Sequence, residues 1–250
     1  MDKAYWDSKA KTYDAEIFSS LHEDKNGVIK KAISKYSSKK HDAADLGCGT
    51  GLYLPYLAAK FRKVYACDLS ARLVDTAKKR CRGLDNVCFD VKDLSGERLK
   101  LPGARFAVSA NVLIIPDAGI RRAIVRNFYR ALPKGAVLLL VVPSLESVLY
   151  VNSRFLEWNL SEGLSVKKAM AAGLRGEHLH SGSVADGLIN IDGVIHKHYL
   201  REELEVLLSV NRFKVLEINK IEYSWNTEFE KPPGWIRAPF PWDWMVLAKK

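Results

Sequence analysis

The sequence lacks the long apolar runs that mark membrane-spanning chains. Its longest such run, Ala136 to Val142, falls far short of the ~18 residues that cross a bilayer. The first residues, Met1 to Asp7, contain no apolar segment of a secretory signal. CxxC spacing is also absent from the four cysteines, which are Cys48, Cys67, Cys81 and Cys88. We therefore expect a soluble, cytoplasmic protein in a reducing compartment.

The composition excludes a disordered chain, because 48% of the 250 residues are hydrophobic and 10% are aromatic. Lysine and arginine number 39 against 29 acidic residues, which gives a net charge of +10. The basic residues form small clusters at 34–40, 78–82, 121–122 and 167–168. Such clusters are typical of a solvated surface, and a phosphate-binding footprint is the alternative.

Strands and helices are predicted to alternate after a helical stretch of about 40 residues. Short apolar strands are predicted at Asp42–Leu46, Lys63–Cys67, Val87–Val91, Arg105–Asn111 and Ala136–Val142. Helices are predicted between them at Gly51–Lys60, Ala71–Arg82 and Gly119–Leu132. Strands that are apolar throughout and separated by helices indicate a parallel sheet covered on both faces.

The alternation stops at Pro143 and resumes about 50 residues later. We expect residues 143–193 to be an insertion that caps the carboxyl edge of the sheet, since long connections in compact domains are often binding elements. A surface excursion is the alternative. A strand at His196–Leu200, a helix at Arg201–Ser209 and strands at Phe213–Trp225 and Asp243–Ala248 are predicted to follow.

The most informative segment is Asp45-Leu46-Gly47-Cys48-Gly49-Thr50-Gly51, a glycine-rich turn between a strand and a helix. Glycines there let the backbone approach a ligand, and the helix start offers free N–H groups. A dinucleotide-binding turn would carry a third glycine where this chain has Leu52. The Gly-Lys-Ser/Thr of a phosphate loop is also missing.

Three acids are predicted to share the rim next to this turn. Asp45 precedes the turn, Asp68 ends the second strand and Asp93 follows the third. A carboxylate before the turn would attract an ammonium group, and an acid ending the next strand can accept both ribose hydroxyls. An acid and the adjacent N–H after the third strand could contact an adenine edge. One ligand with an amino-acid ammonium, a ribose and an adenine would fit all three.

The glycine turn resembles motif I of the class I S-adenosylmethionine-dependent methyltransferases, and Asp68 and Asp93 match the ribose and adenine acids of that family. Asn111-Val112-Leu113, the turn at Leu132–Ala136 and the segment His198–Leu204 are similar more loosely. The resemblance implies a Rossmann-like seven-stranded, mostly parallel sheet of order 3-2-1-4-5-7-6, with helices on both faces and a cap insertion after strand five. Asn211-Arg212-Phe213 departs from it, because relatives carry Gly-Phe there.

The resemblance also implies the site. S-adenosylmethionine would be the methyl donor and S-adenosylhomocysteine the product. Aromatic side chains near the N-terminus could close over the donor or pack against the sheet. The implied donor-binding residues are Tyr5, Trp6, Tyr13, Asp45, Gly47, Cys48, Gly49, Gly51, Asp68, Leu69, Asp93, Leu94, Asn111 and Val112.

No catalytic residue has to be visible, because methyl transfer needs a general base only when the nucleophile arrives protonated. His196 and His198 alternate along a predicted strand and would face one side, with Tyr199 on the other. One histidine could act as a base, and a polar strand surface is the alternative. His178 and His180 add to the histidines, but no acidic spacing supports a metal site, so none is expected.

The strand-four end lacks the Asn/Asp-Pro-Pro-Tyr/Phe of enzymes that methylate amide or exocyclic amino nitrogens, and no Pro-Cys dipeptide supports cytosine-C5 chemistry. We therefore expect a small-molecule acceptor and no membrane partner, with aromatic side chains after Pro143 either walling its pocket or packing the cap. An RNA methyltransferase and a non-catalytic cofactor-binding protein are the alternatives. A single domain is expected, divided into an N-terminal helical cap (1–41), a core (42–142), the cap insertion (143–193) and a C-terminal part (194–250).

Overall fold

The computed structural model describes residues 2–172, 184–191 and 193–250. Four short helices precede the first strand instead of one long one: α1 (Lys3–Lys9), α2 (Tyr13–Glu16), α3 (Ser20–Glu23) and α4 (Val28–Tyr36). Side-chain oxygens of Asp2 and Ser19 cap the starts of α1 and α3, and the left-handed Gly27 sets the start of α4. The breaks between these helices let the N-terminal segment follow the curved edge of the sheet.

The core alternates strands and helices within two or three residues of the predicted bounds. The strands are β1 (Asp42–Leu46), β2 (Val64–Asp68), β3 (Val87–Val91), β4 (Ala104–Ala110) and β5 (Val137–Pro143). The helices between them are α5 (Leu54–Lys60), α6 (Ala71–Arg80) and α7 (Ala118–Ala131). Every residue of β1 is buried, as is all of β5 except Pro143, because helices cover both faces of the sheet.

The later elements complete the sheet. They are α8 (Leu145–Ser161), α9 (Val166–Ala171), β6 (Leu188–Ile191), β7 (Val194–Lys197), α10 (Arg201–Val210), β8 (Lys214–Glu222) and β9 (Trp242–Lys249). The seven-stranded sheet has the order β3-β2-β1-β4-β5-β9-β8, and β9 runs antiparallel to both of its neighbours. Since β8 and β9 are the sixth and seventh strands of this sheet, the predicted fold class and order are confirmed.

The strand predicted at His196–Leu200 is wrong in its bounds. β7 ends at Lys197 and pairs with β6 in a separate two-stranded sheet. Tyr199 instead forms one parallel bridge to Ser144, where the backbone passes the end of β5. The alternation of polar and apolar residues there reflects this hairpin and bridge, not a strand of the main sheet.

The unusual turn before β8 has a simple geometry. Arg212 adopts a φ of 70°, the left-handed conformation that a glycine at this position would take without strain. Its side chain is exposed, so the turn keeps its shape while it carries a non-glycine residue.

Residues of the predicted cap insertion form α8 and α9, and aromatic side chains of α8 pack against the segment before β9. Trp225 and Phe229 stack with ring centroids 5.5 Å apart, and Phe155 and Trp158 of α8 surround Phe229. Gly173, Gly176 and Gly182 of this insertion lie outside the described residues. The division into four parts stays a prediction. None of the helices that the structure describes is long and apolar enough to cross a membrane.

Candidate functional site

A pocket of about 400 Å³ opens where β1, β2 and β4 reach the same edge of the sheet. The carboxyl edge of a doubly wound sheet is where such folds bind ligands. Its lining comes from α1, the glycine turn, the loops after β2, β3 and β4, and the starts of α6 and α7. The lining residues are Asp2, Lys3, Trp6, Tyr13, Gly47, Asp68, Leu69, Leu73, Asp93, Leu94, Ser95, Ala110, Asn111, Val112, Ile115, Ile120 and Ile124.

The glycine turn is held close to its neighbours by hydrogen bonds and by the lack of side chains. The N–H groups of Gly47 and Cys48 donate to the Cys67 carbonyl at 2.8 and 2.9 Å. Gly47 has a φ of +86°, and a Cβ there would lie 2.2 Å from the Val112 side chain. Gly49 has a φ of +53°, and a Cβ there would lie 2.9 Å from the Tyr13 hydroxyl. Only glycine fits this backbone, which forms the floor of the pocket.

Asp68 joins the turn to the end of β2. Its Oδ2 accepts from the Gly49 N–H and its Oδ1 from the Ser70 N–H, both at 2.9 Å. The residue is 8% exposed, and burial raises the pKa of its carboxyl although these N–H groups oppose the shift. A carboxylate has about four acceptor positions, so this carboxyl keeps acceptor capacity for a ligand in the pocket.

Asp45 lies beneath the turn and does not line the pocket. It is 2% exposed, and its Oδ2 has no hydrogen-bond partner. Burial, and then the negative charge of Asp68, raises the pKa of this carboxyl to about 8. An unpaired buried carboxyl is costly unless a cation or a proton neutralises it, so this oxygen is suited to a positively charged ligand group nearby.

Asp93 lies at the far end of the pocket and is exposed. Its Oδ1 accepts from both the N–H and the hydroxyl of Ser95, at 2.8 and 2.6 Å. Its own N–H donates to Glu97 at 3.0 Å. The neighbouring Leu94 is buried and adds an apolar wall, so this end combines one acidic side chain with a flat apolar surface.

The N-terminal helices cover the open side of the pocket. Trp6 and Tyr13 line it, with ring centroids 6.3 Å apart, whereas Tyr5 packs edge-on against Trp6 outside it. The Ser70 hydroxyl donates to Asp7, and the Thr50 hydroxyl donates to Asp14 at 2.7 Å. These bonds anchor α1 and α2 to the glycine turn and to the start of α6.

Asn111 ends β4 with a φ of 55°, which turns its side chain back along the sheet edge. Its Nδ2 donates to the Ser20 hydroxyl at 3.4 Å, while its Oδ1 is buried and has no partner. Val112 follows it and closes the pocket against Gly47. Asn111 is therefore a polar group of the pocket with an open acceptor position.

Nine of the fourteen residues predicted for the donor site line this pocket: Trp6, Tyr13, Gly47, Asp68, Leu69, Asp93, Leu94, Asn111 and Val112. Tyr5, Asp45, Cys48, Gly49 and Gly51 form the surrounding layer. Gly51, for example, packs against Ala77 of α6, where a Cβ would come within 3.1 Å. The structure adds apolar residues from α6, from the loop that leads into α7 and from α7 itself, among them Leu73, Ile115 and Ile124. These residues were not predicted for the site from the sequence.

The candidate bases lie away from the pocket lining. His198 is 5% exposed, and burial lowers its pKa to about 4, so it is neutral at pH 7. Burial also lowers the pKa of His196, whose Nδ1 has no partner. The Tyr199 hydroxyl donates to the Leu113 carbonyl at 2.7 Å, and burial raises its pKa. None of the three residues lines the pocket.

No group of three or more His, Cys, Asp and Glu side chains in the described residues could hold a metal ion. His178 and His180 lie outside those residues. A second, open groove of about 690 Å³ runs between α10 and the edge strand β8, where Arg201, Glu205, Lys214 and Glu217 are among its lining residues. It is remote from the glycine turn.

Comparison with known proteins assigns this arrangement to a family. Residues 43–135 match the family model of a methyltransferase domain. This segment contains β1 to β4, the glycine turn, all three acids and Asn111. This match, together with the fold, supports a class I S-adenosylmethionine-dependent methyltransferase.

Solved structures of methyltransferases share the fold of this chain across nearly its whole length. A SAM-dependent methyltransferase from Methanosarcina mazei is 20% identical with a TM-score of 0.60, over 88% of this chain and 96% of that chain. An S-adenosylmethionine-dependent methyltransferase from Mesorhizobium loti is 15% identical with a TM-score of 0.64, over 93% and 98%. The N-methyltransferase NodS from Bradyrhizobium japonicum, in complex with S-adenosyl-L-homocysteine, is 10% identical with a TM-score of 0.61, over 99% and 97%. Comparison with curated proteins gave no match.

The residues of the pocket have the chemistry to hold S-adenosylmethionine. The open acceptor oxygen of Asp45 suits an ammonium group, and the Gly47 backbone leaves room that any side chain would fill. The free lone pairs of Asp68 suit a pair of hydroxyl groups, and the apolar surface at Leu94 suits a planar base.

Proposed function

We propose that the donor lies along the pocket with its amino-acid part at the glycine turn. In this orientation the donor ammonium neutralises Asp45. Asp68 accepts hydrogen bonds from the two ribose hydroxyls, and the adenine contacts Asp93 and Leu94. Asn111 then lies next to the sulfonium, at the end of β4. The observation that carries this assignment is the unpartnered Oδ2 of Asp45, because a buried carboxyl needs a positive partner.

The donor, when bound, supplies an already activated methyl group. The chain's own residues therefore have to align the acceptor and exclude water. Trp6 and Tyr13 cover the pocket from one side, and Val112, Ile115 and Ile124 supply apolar walls on the other. This enclosure keeps solvent away from the reacting atoms.

We infer that the acceptor is a small molecule. The segment after β4 is Asn111-Val112-Leu113. It lacks the Asn/Asp-Pro-Pro-Tyr/Phe sequence of enzymes that methylate amide or exocyclic amino nitrogens. The short helices α1 to α3 fold over the strand ends, so only a compact acceptor reaches Asn111 without displacing them.

RNA methylation is the alternative function. The basic residues give it little support, because several are used within the fold. Arg80 pairs with Asp14, Lys35 pairs with Glu217, and Arg121 is 9% exposed and donates to the Ile115 and Pro116 carbonyls. An RNA-binding surface would need such side chains free for phosphates.

The two functions are separated by one transfer experiment. The protein is incubated with methyl-labelled S-adenosylmethionine and either a small-molecule extract or total RNA from the same cells. We expect label in the small-molecule fraction, with loss of transfer in Asp68→Ala and no loss in Asp75→Ala, whose side chain is 66% exposed. Label incorporated only into RNA contradicts the small-molecule assignment. Absence of S-adenosylhomocysteine binding contradicts the donor site itself.

A further inference from the structure

A second polar cluster lies beside the donor pocket, at the edge where β5 ends and β9 begins. Asp243 faces Pro143 of β5 and Ile221 of β8 in the register of the sheet. It is 9% exposed, and its Oδ2 accepts from the Ser20 hydroxyl at 3.3 Å. Ser20 accepts in turn from Asn111 Nδ2. Asp243 is thus two hydrogen bonds away from the polar residue at the end of β4.

One tyrosine hydroxyl in this cluster is left without a partner. Tyr53 is 8% exposed and its hydroxyl has no hydrogen-bond partner, whereas the hydroxyl of Tyr223, which is 3% exposed, hydrogen-bonds the Asp243 carboxyl. After burial, the negative charges of Asp45 and Asp243 raise the pKa of Tyr53, and the charge of Asp243 raises the pKa of Tyr223. Asn111 Oδ1 is a second open position. Buried polar atoms are rarely left unpaired, so such a group indicates a missing polar ligand.

The charged groups that act on the two tyrosines of this cluster are carboxylates. Asp45, Asp243 and Asp24 act on Tyr53, and Asp243 acts on Tyr223. The carboxyl of Asp243 is in contact with hydroxyl and backbone groups and has no cationic partner among the described residues. The site therefore offers oxygen acceptors in a negative field. An ammonium group, with three N–H donors and a positive charge, is complementary to it, whereas a neutral hydroxyl supplies one donor and a carboxylate is repelled.

We propose that this cluster is the acceptor subsite, that it takes a primary or secondary amine, and that Asp243 accepts the proton that the amine loses before methyl transfer. The proposal deepens the proposed function and rests on it. In the first step the ammonium N–H bond breaks, and its proton passes to an Asp243 oxygen. The freed lone pair forms the N–C bond to the methyl group while the C–S bond breaks and its electron pair stays on sulfur. The product leaves as a methylated ammonium, and Asp243 returns its proton to solvent.

The protonation behaviour of Asp243 is consistent with this step. Burial raises the pKa of its carboxyl to about 6, against the opposing hydrogen bonds from Tyr223, Ser20 and Ser144, so the group exchanges protons near neutral pH. Burial in the same site would lower the pKa of the amine and bring the two groups closer in proton affinity.

Access to the subsite passes through the N-terminal segment. Ser20 is 3% exposed, and Phe18 packs edge-on against Tyr223 with centroids 4.6 Å apart while remaining 40% exposed. An incoming amine would displace the Ser20 hydroxyl from Asp243 and take over its hydrogen bond. The short helix α3 lies between segments without regular structure, so this displacement requires no change in the sheet.

The first test is binding to the protein saturated with S-adenosylhomocysteine, measured by calorimetry with matched pairs of compounds. The pairs are benzylamine with benzyl alcohol and cyclohexylamine with cyclohexanol. We expect at least one amine to bind more tightly than its alcohol. Asp243→Asn should weaken amine binding by about tenfold or more, because a buried charge pair is lost, and leave S-adenosylhomocysteine binding unchanged. Asp75→Asn is the control and should change neither.

Tyr223→Phe provides a second binding test that can be used if Asp243→Asn does not fold. It removes only a hydroxyl and should weaken amine binding while the affinity of the paired alcohol stays the same. Equal binding of amine and alcohol, absence of amine binding up to the solubility limit, or amine binding that is indifferent to both variants overturns the proposal. S-adenosylhomocysteine binding of the unaltered protein separates this failure from a failure of the donor site.

The second test uses the product of the labelled transfer from a small-molecule extract. An amine product carries positive charge and is retained on a cation exchanger at neutral pH. We expect the label to be retained and its formation to be lost in Asp243→Asn. Label in a product that is neutral or anionic at that pH overturns the amine assignment and leaves the methyltransferase activity intact.

Discussion

The replacement of Asp68 by alanine tests the ribose assignment. The two oxygens of this carboxyl accept the Gly49 and Ser70 N–H groups, and the residue lines the pocket. A hydrogen bond to a charged group contributes ~1.5–3 kcal/mol, so two of them to ribose hydroxyls contribute a few kcal/mol of binding free energy. Since ~1.4 kcal/mol corresponds to tenfold in Kd, we expect Asp68→Ala to weaken S-adenosylhomocysteine binding by at least about tenfold.

The assay is calorimetric titration of S-adenosylhomocysteine into wild type, Asp68→Ala and Asp68→Asn. Alanine also leaves the Gly49 and Ser70 N–H groups unpaired, at ~1–3 kcal/mol each, so thermal unfolding has to confirm that the variant is folded at the titration temperature. Asparagine keeps the shape but presents an N–H donor to one of these N–H groups, and it should also bind weakly. Asp75→Ala, far more exposed, should bind as wild type. Unchanged affinity in folded Asp68→Ala would refute the assignment.

Four further predictions follow from the site and its surroundings. Gly47→Ala should abolish S-adenosylhomocysteine binding and destabilise the fold, because its Cβ would overlap Val112; calorimetry showing normal binding would contradict this. At pH 7 the binding of S-adenosylhomocysteine should release protons from Asp45, whose pKa of about 8 falls when the ammonium arrives; the released fraction, measured in buffers of different ionisation enthalpy, should vanish in Asp45→Asn. The depressed pKa of His198, about 4 in the folded chain against 6.5 unfolded, means that the unfolded chain binds more protons between these values, so stability is lost as pH falls; urea unfolding should show a decrease of about 2 kcal/mol from pH 7 to pH 5 that His198→Asn removes. Arg212→Gly should raise the free energy of unfolding by roughly 0.5 kcal/mol, because it relieves a left-handed backbone at an exposed position; a lower urea midpoint would count against this account.

The donor part of the site could be predicted from the sequence because its chemistry depends on residues close together in the chain. Asp45 and the three glycines occupy one turn, and Asp68 and Asp93 each end a strand that the apolar pattern reveals. In a parallel sheet the strand ends converge at one edge, so the spacing of these residues already implied their proximity. The strand order, in contrast, was predicted from the resemblance of the glycine turn to motif I of the methyltransferases.

The prediction failed where polar residues alternate without entering the main sheet. His196 and His198 read as one strand with a functional face. The structure divides them between a small hairpin and a buried loop, where low exposure holds His198 neutral. The alternation of side chains along one strand does not specify the strand with which it pairs. Here the partner is Leu188–Ile191, and it forms a separate hairpin with Val194–Lys197.

The proposed acceptor subsite could not be predicted from the sequence. Ser20, Asn111, Tyr223 and Asp243 are separated by up to 223 residues and share no spacing rule. They meet only because β9 inserts antiparallel between β5 and β8, which carries Asp243 to the carboxyl edge, and because α3 folds over that edge. The sequence by itself determined the sheet, the glycine turn and its acids, since these follow from local pattern and strand direction. The tertiary structure alone decided which buried oxygens lack a partner, because that depends on contacts between segments distant in the chain.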